Sequence, residues 1–246
     1  MRSDRRRRRS GGTPDGMDKA LVIVPAYNEA DTIGEVVRRA LVHADVVVVN
    51  DASKDRTGEI VESIEGAHCI HHETNTHIPG GVLDGMRYAL EQGYEYGIAM
   101  DAGLSHDPND IPRFMAAPPE LDVVIGRRTS KSNTPLSRHL LSAAGSMLYN
   151  YAIDPTWVVW PRCSYKDVTS GYRRYSRRCM QLLVSSKMEC RSFDFIIEAL
   201  MFAHRNGLSV GDVPIHYDFT GSSLNRRVIL DALRMLGLML VKPRRR

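Results

Sequence analysis

Two short runs of apolar, mostly β-branched residues constrain the fold of this chain most strongly. They are Ala20-Leu-Val-Ile-Val-Pro-Ala-Tyr-Asn-Glu29 and Asp45-Val-Val-Val-Val-Asn-Asp-Ala-Ser-Lys-Asp-Arg-Thr57, and each ends in a polar turn that a helical pattern follows. A continuous apolar run of this length is typical of a strand that is buried on both faces of a parallel sheet. Ligands of open α/β sheets bind outside the carboxyl ends of such strands. We therefore expect Glu29 and Asp51 to lie at the lip of one crevice.

The rest of the chain continues this alternation of strand and helix as far as Gly126. The patterns predict strands over residues 21–24, 46–49, 68–71, 96–100 and 121–125, and helices over 31–41, 57–64, 81–91 and 110–115. This order indicates an α/β fold with a mostly parallel central sheet and helices on both faces. Beyond Gly126 the order changes to a long helical pattern at 136–152, a segment at 168–175, a helix near 193–206 and a strand near 209–217.

The two ends of the chain differ in charge from its body. Residues 1–10 hold six arginines and one aspartate, and residues 242–246 hold four basic residues and no acidic one. Because the net charge of the whole chain is +4, the body between these tails carries −5. We interpret residues 1–18 as a disordered basic tail, 19–227 as one globular domain, and 228–246 as an amphipathic helix with a basic tail. The tails are either attracted to an anionic membrane surface or simply solvated.

Composition disfavours several other classes of protein. The apolar stretch at 228–241 is shorter than the ~20 residues that a spanning helix needs, and it carries Asp231 and Arg234. No apolar segment follows the first arginines, so no secretory signal is predicted. The four cysteines lack metal-ligand spacing, and no interleaving of aromatic and basic residues indicates nucleic-acid binding. We expect a cytoplasmic protein, either free or peripheral on the inner face of the membrane.

Three motifs, in order and at similar spacing, resemble those of family 2 glycosyltransferases. They are Pro25-Ala-Tyr-Asn-Glu29, Asn50-Asp-Ala-Ser-Lys-Asp-Arg-Thr57 and Met100-Asp-Ala-Gly-Leu-Ser-His-Asp-Pro108, and Val168-Thr-Ser-Gly-Tyr-Arg173 follows downstream. The most similar branch is that of the dolichol-phosphate (polyprenyl-phosphate) mannose synthases. The resemblance implies a GT-A-like fold. It also implies inverting transfer of a hexose, mannose or glucose, from a nucleotide sugar of the GDP-mannose or UDP-glucose type to polyprenyl phosphate at the cytoplasmic membrane face.

The resemblance also assigns the donor half of the site. A carboxylate is suited to binding the nucleotide, because it accepts hydrogen bonds from ribose hydroxyls or from a base N–H edge. The alternative for the turn after the first strand is ordinary turn and cap chemistry. The residues assigned to the nucleotide sugar are Pro25, Ala26, Tyr27, Glu29, Asp51, Asp101 and Ala102.

The metal motif departs from the family pattern. Asp-x-Asp is usual there, whereas this chain has Asp101-Ala-Gly103. Mg²⁺ and Mn²⁺ are held by one or two carboxylates together with substrate phosphates and water. The resemblance therefore implies a divalent cation on Asp101, with Ser105 or His106 as additional ligands, or a weaker metal site.

The acceptor half is assigned to basic residues. Arg138 and Ser142 are four residues apart on one helical face, and together with Arg128 they resemble the acceptor-phosphate site of the synthases. Arg173 is expected on the same side. These four residues and Asp101 form the predicted catalytic set, and a solvated helix face is the alternative for Arg138. Asp167 would be a general base in relatives with a hydroxyl acceptor.

Two other functions remain open at this point. One is a family 2 glycosyltransferase with a soluble or glycan hydroxyl acceptor. The other is a relative that binds a nucleotide sugar without turnover, for which Gly103 is the best argument. The sequence does not determine the sugar, the base, the acceptor or the oligomeric state.

Overall fold

A central sheet organises the molecule. The structure is a computed structural model, and it describes residues 20–132, 145–147, 149–151 and 165–218. Within these residues there are seven strands: β1 (Ala20–Ala26), β2 (Asp45–Asn50), β3 (Ala67–His71), β4 (Tyr96–Ala99), β5 (Val123–Ser132), β6 (Arg173–Ser176) and β7 (Val210–Asp218). Their order across the sheet is β3-β2-β1-β4-β6-β5-β7. Only β6 runs antiparallel to its neighbours, β4 and β5.

Six helices cover the two faces of this sheet within the described residues. They are α1 (Ile33–Leu41), α2 (Thr57–Glu62), α3 (His77–Glu91), α4 (Ile111–Met115), α5 (Arg177–Val184) and α6 (Asp194–Arg205). A short 3₁₀ turn, Pro108–Asp110, precedes α4. Residues 145–147 and 149–151 are also helical.

Side chains that alternate along each strand form two separate cores. Leu21 and Ile23 of β1 pack with α3, α5 and α6 on one face, whereas Val22 and Val24 pack with α1, α2 and α4 on the other. Both faces of β1 are therefore buried, as its unbroken apolar run predicts. The predicted α/β fold with helices on both faces of a mostly parallel sheet is confirmed.

The observed elements differ from the predicted ones in three places. Helix α3 begins at His77 rather than at residue 81, because Pro79 lies in its first turn, where a missing N–H costs no hydrogen bond. Strand β5 extends to Ser132. The segment predicted at 168–175 contributes β6, which enters between β4 and β5.

Parts of the predicted organisation fall outside the described residues. They are the tail at 1–18, most of the helix predicted at 136–152, and the helix and basic tail at 228–246. In the part of the chain that the structure describes, no helix has the length and apolar character needed to cross a bilayer.

Candidate active site

The carboxyl ends of three parallel strands bring the predicted carboxylates to one edge of the sheet. Strand β1 pairs with β2 on one side and with β4 on the other. The pairing continues past β2, where the Asp51 amide donates to the Ala26 carbonyl over 2.9 Å, and past β4, where the Met100 amide donates to the Ile23 carbonyl over 3.1 Å. Glu29, Asp51 and Asp101 therefore all follow strands that end at the same edge.

The turn after β1 is held by the turn after β2. The Glu29 amide donates to Thr57 Oγ1 over 2.8 Å, and the Ala30 amide donates to the Asp55 carboxylate over 3.1 Å. In the other direction, the Lys54 amide donates to Asn28 Oδ1 over 2.8 Å. The polar residues of the second motif thus have a structural task, which is to fix the backbone that carries Glu29.

Each of these two turns contains a residue in the left-handed backbone region. Asn28 has a φ of 56° and Ala52 has a φ of 59°. For alanine this conformation is unfavourable, and it persists only where the surrounding structure determines it. At Ala52 the surrounding structure includes the Ser53 amide, which donates to Asn50 Oδ1 over 3.2 Å. This turn carries Asp51, which directly follows β2.

Asp51 is buried and hydrogen bonded on one of its two oxygens. Its Oδ1 lies 2.8 Å from His72 Nδ1, 2.7 Å from the Thr76 amide nitrogen and 2.8 Å from Thr76 Oγ1. Burial acts to raise the pKa of Asp51, but the hydrogen bonds from Thr76 and His72 outweigh it and hold that pKa below its usual value. The carboxylate is therefore ionised at neutral pH.

Glu29 is influenced in the opposite direction. Burial raises the pKa of this carboxyl group, and the nearby charges of Asp101, Asp55 and Asp31 raise it further, against a hydrogen bond from Thr32. A second carboxylate beside the first makes ionisation of both more costly. A cation or a hydrogen-bond donor that enters between Glu29 and Asp101 would relieve this repulsion.

Asp101 faces the crevice, with 49% of its side chain exposed. The buried ring of His106 lies behind it and accepts a hydrogen bond from the Asp101 amide at Nδ1, over 3.2 Å. Burial lowers the pKa of His106, so the ring is neutral and can accept this bond. The ring stacks on Tyr172 with a centroid separation of 4.9 Å. His106 therefore supports the backbone of Asp101.

The segment between residues 167 and 172 also lies beside Asp101. A Cβ atom at Gly171 would lie 3.5 Å from Asp101 Oδ1, which is an ordinary van der Waals contact. At Gly103, in contrast, an added Cβ would meet open space.

Arg128 follows the buried part of β5 and is held by Asp167. Its Nε and Nη2 donate to the two carboxylate oxygens over 2.8 and 2.6 Å, and its backbone amide donates to Oδ2 over 3.1 Å. Nη2 also donates to Thr169 Oγ1 over 2.5 Å, and the guanidinium lies over the ring of Tyr217. This network ties the segment at 167–172 to the middle of β5. Contact between Arg128 and an acceptor phosphate stays a prediction.

Two predicted site residues are placed in the interior. Arg173 is fully buried, and its guanidinium donates to the carbonyls of Ser170, Val168 and Ile196. The guanidinium of Arg173 is therefore enclosed in the interior, and the expected contact with an acceptor stays a prediction that this burial disfavours. The Ala102 side chain packs in the core with Val24 and Met100. It can contribute only its backbone to a donor site.

Of the remaining predicted site residues, four lie in the described parts of the chain and two lie outside them. Pro25 and Ala26 end β1, and the Tyr27 ring is exposed at the edge. The Ser105 carbonyl accepts from the Asp218 amide over 3.2 Å. Arg138 and Ser142 lie outside the described residues.

The fit of a divalent cation rests on few ligands. Among the described residues, no group of three or more His, Cys, Asp or Glu side chains is arranged to hold a metal ion. His106 is stacked and buried, which disfavours it as a ligand. The exposed Asp101 carboxylate, with Glu29 near it, matches a cation that takes most of its ligands from substrate phosphates and water.

Sequence reasoning did not single out two residues that organise the site, His72 and Thr76, which surround Asp51. Their only signal in the sequence is that polar residues follow a predicted strand. Asp167 was singled out as a possible general base, but not as the partner of Arg128. The partners in these pairs lie 21 to 39 positions apart, so no local pattern joins them.

The strand order, with helices on both faces of the sheet, is that of a GT-A-like fold. Solved structures with this fold include glucosyl-3-phosphoglycerate synthase from Mycobacterium tuberculosis in complex with Mn²⁺, UDP and phosphoglyceric acid. That structure aligns with a TM-score of 0.67 and 17% identity, over 92% of this chain and 80% of the other.

Within this fold class, the chain belongs to glycosyl transferase family 2, whose model matches residues 21–233. It is a glycosyltransferase. An undecaprenyl-phosphate mannosyltransferase of Micrococcus luteus is 31% identical over 81% of this chain and 83% of its own length. A polyprenol monophosphomannose synthase of Mycolicibacterium smegmatis is 28% identical over 81% and 77%. A UDP-N-acetylglucosamine–dolichyl-phosphate N-acetylglucosaminyltransferase of Methanococcus voltae is 27% identical over 85% and 90%.

Proposed function

We propose that this chain transfers a hexose from a nucleotide sugar to polyprenyl phosphate, with inversion at the anomeric carbon. The observation that carries the proposal is the placement of Glu29, Asp51 and Asp101 after three neighbouring parallel strands, beside the segment that Arg128 and Asp167 hold. The names of the relatives, which include two polyprenyl-phosphate mannosyltransferases, support the acceptor class.

The donor occupies the edge formed by β1, β2 and β4. Asp51, ionised and buried, accepts a hydrogen bond from the base or the ribose, and the backbone of Pro25 and Ala26 lines the same edge. Asp101 faces the place where the pyrophosphate would lie. The exposed ring of Tyr27 is available to cover the nucleotide.

The reaction is a single displacement. An oxygen of the acceptor phosphate attacks the anomeric carbon, and the new carbon–oxygen bond forms as the bond from that carbon to the β-phosphate oxygen breaks. The nucleoside diphosphate leaves with the electron pair, on the face opposite the attack. Stabilising the charge on this leaving group is the main contribution of the protein.

A divalent cation on Asp101 and the pyrophosphate would supply part of that charge stabilisation. Glu29 lies close enough for the charge of Asp101 to raise its pKa, so both carboxylates favour positive charge in the crevice. These carboxylates repel the substrate diphosphate until a cation or hydrogen-bond donors compensate their charge.

The state of Asp167 supports a phosphate acceptor over a hydroxyl acceptor. A hydroxyl needs a general base, but both oxygens of Asp167 accept hydrogen bonds from Arg128. An acceptor phosphate is already ionised and needs no base. The alternative of a soluble or glycan hydroxyl acceptor therefore requires that this ion pair open.

We place the reaction at the inner face of the membrane, where a polyprenyl phosphate is held. The Arg-rich segments at 1–10 and 242–246 are suited to anionic head groups, since each basic residue near such a surface contributes on the order of 1 kcal/mol. Both segments lie outside the described residues.

One experiment tests the proposal. The purified chain is incubated with a panel of labelled nucleotide sugars and Mg²⁺ or Mn²⁺, with and without polyprenyl phosphate, and the lipid is extracted. We expect label in the lipid fraction with one donor, only when polyprenyl phosphate is present. Transfer to a water-soluble acceptor, with none to lipid, would favour the alternative.

A further inference from the structure

The hydrogen bonds around Asp51 bear on the choice of base. We infer that the donor site reads a base with a single N–H directed at Asp51, as in uracil, and discriminates against guanine. This inference rests on the proposed function, because it takes Asp51 to contact the base. It narrows the donor from any nucleotide sugar to a uridine-type one.

Oδ1 of Asp51 already accepts as many hydrogen bonds as it can. Three donor groups surround this one oxygen: His72 Nδ1, the Thr76 amide and Thr76 Oγ1, all within 2.7–2.8 Å. A carboxylate oxygen has two lone pairs, so Oδ1 has no capacity left for a ligand. No hydrogen bond from a described residue reaches Oδ2. Asp51 thus offers a ligand one oxygen.

The orientation of the Asp51 carboxylate is fixed by the residues around it. His72 lies between two carboxylates, with Nδ1 2.8 Å from Asp51 and Nε2 3.0 Å from Asp84. Asn75 Nδ2 donates to the Asp51 carbonyl over 3.3 Å. Only 5% of the Asp51 side chain is exposed. Rotation of the carboxylate that presents both oxygens to a ligand would break the hydrogen bonds from His72 Nδ1, the Thr76 amide and Thr76 Oγ1 to Oδ1.

Guanine and uracil differ in the number of N–H groups that they direct at a carboxylate. Guanine directs two adjacent donors, N1–H and the N2 amino group, at a carboxylate, and it is read best when both carboxylate oxygens accept. Uracil directs one donor, N3–H, between two carbonyl acceptors. With Oδ1 saturated, both guanine donors would have to share Oδ2 and could not both be well aligned with it, so at least one of the two hydrogen bonds would be weak. Uracil would lose nothing.

Comparing three nucleoside diphosphates tests this inference directly. Binding of UDP, inosine diphosphate and GDP to the full chain is measured by calorimetry with Mn²⁺. Inosine diphosphate has the guanine ring without the N2 amino group, so it isolates the second donor. We expect UDP to bind at least about tenfold more tightly than GDP, which corresponds to about 1.4 kcal/mol. We also expect inosine diphosphate to bind more tightly than GDP.

Two variants assign the effect to Asp51. Asp51→Asn should weaken UDP binding about tenfold or more and reduce the difference between UDP and GDP. Asp45→Asn is the matched control, because Asp45 begins the same strand at the opposite end. It should leave the affinities for the three diphosphates unchanged. If Asp51→Asn does not fold, the three affinities measured with the unaltered chain still decide which base the site prefers.

The outcomes separate this inference from the proposed function. Tighter binding of GDP than of both UDP and inosine diphosphate would overturn the base assignment and leave the glycosyltransferase proposal standing. Failure of all three diphosphates to bind, with or without Mn²⁺, would overturn both.

Discussion

Arg128 and Asp167 form a two-point ion pair that joins β5 to the segment beside Asp101. The Nη2–Oδ1 distance is 2.6 Å and the Nε–Oδ2 distance is 2.8 Å. The side chains are 14% and 6% exposed. Arg127, the next residue back along the chain, pairs with Asp212 over 2.7 Å, but those side chains are 32% and 33% exposed. The two adjacent pairs differ mainly in burial.

Asp167→Asn should lower the free energy of unfolding by about 3 kcal/mol, because it leaves a buried guanidinium without its counter-charge. Asp212→Asn should lower it by about 1 kcal/mol or less, as for an exposed pair. Urea denaturation of both variants measures the difference. Equal effects of the two substitutions would show that burial of the Arg128 pair is not what anchors this segment.

Asp101→Ala should reduce kcat by about 100-fold or more, since it removes the carboxylate that faces the pyrophosphate. The side chain is half exposed, so we expect the circular dichroism spectrum and thermal midpoint to stay close to those of the unaltered chain. Glu91→Ala, at an exposed carboxylate that ends α3, is the control and should retain activity. Near-normal turnover in Asp101→Ala would remove Asp101 from the site.

Gly103→Asp should increase the affinity for Mn²⁺ or Mg²⁺, because it supplies the second carboxylate of the family motif. An added Cβ at this position meets no atom within 4 Å, so the substitution fits without strain. Calorimetric titration of the metal in the presence of a nucleoside diphosphate measures the change. Gly103→Asn, which adds similar volume without charge, is the control. An unchanged metal affinity in Gly103→Asp would place the cation away from this loop.

His106 should make stability depend on pH below its ordinary pKa of 6.5. Burial lowers the pKa of His106 in the folded state, so the unfolded state binds more protons as the pH falls below about 6.5, and the folded state loses stability down to its own lower pKa. The loss is at most about 1.4 kcal/mol per pH unit.

His106→Phe keeps an aromatic ring against Tyr172 and should remove this part of the pH dependence. Urea denaturation at about pH 7.5 and about pH 5.5 tests the prediction. His77→Asn is the control, since His77 is exposed and asparagine tolerates its φ of 60°. A pH dependence that is the same in His106→Phe and in the unaltered chain would contradict the assignment.

The basic tails should bind anionic membranes. Co-sedimentation with liposomes should increase with the fraction of anionic lipid and decrease with salt, because the attraction is electrostatic. A chain trimmed of residues 1–10 and 242–246 should sediment less. If the full chain stays in the supernatant at low salt with anionic liposomes, membrane docking is wrong and a soluble acceptor becomes the better hypothesis.

Local patterns were sufficient for the part of the fold that carries the donor site. Unbroken apolar runs identified β1 and β2 because both faces of these strands are buried, and their order implied parallel pairing. The parallel pairing in turn put Glu29, Asp51 and Asp101 at a common edge. Each of these inferences depends only on residues near one another in sequence and on the handedness of βαβ units.

The acceptor half was less accessible to sequence reasoning. Arg128 and Arg173 look alike in the sequence, as basic residues next to strand-like segments. The structure separates them: Arg128 lies within β5 and pairs with Asp167, whereas Arg173 is buried among carbonyls of the segment that precedes β6 and of α6. Which of two arginines reaches a crevice depends on the antiparallel insertion of β6, and no short pattern encodes that insertion.

The sequence by itself determined the α/β class, the family and the carboxylates at the strand ends, since these follow from periodicity and from contiguous motifs. Only the tertiary structure decided which polar atoms remain available to a ligand. His72 and Thr76 saturate one oxygen of Asp51, and His106 supports Asp101 from the core. These partners come from separate strands and loops, so their contacts exist only once the chain has folded.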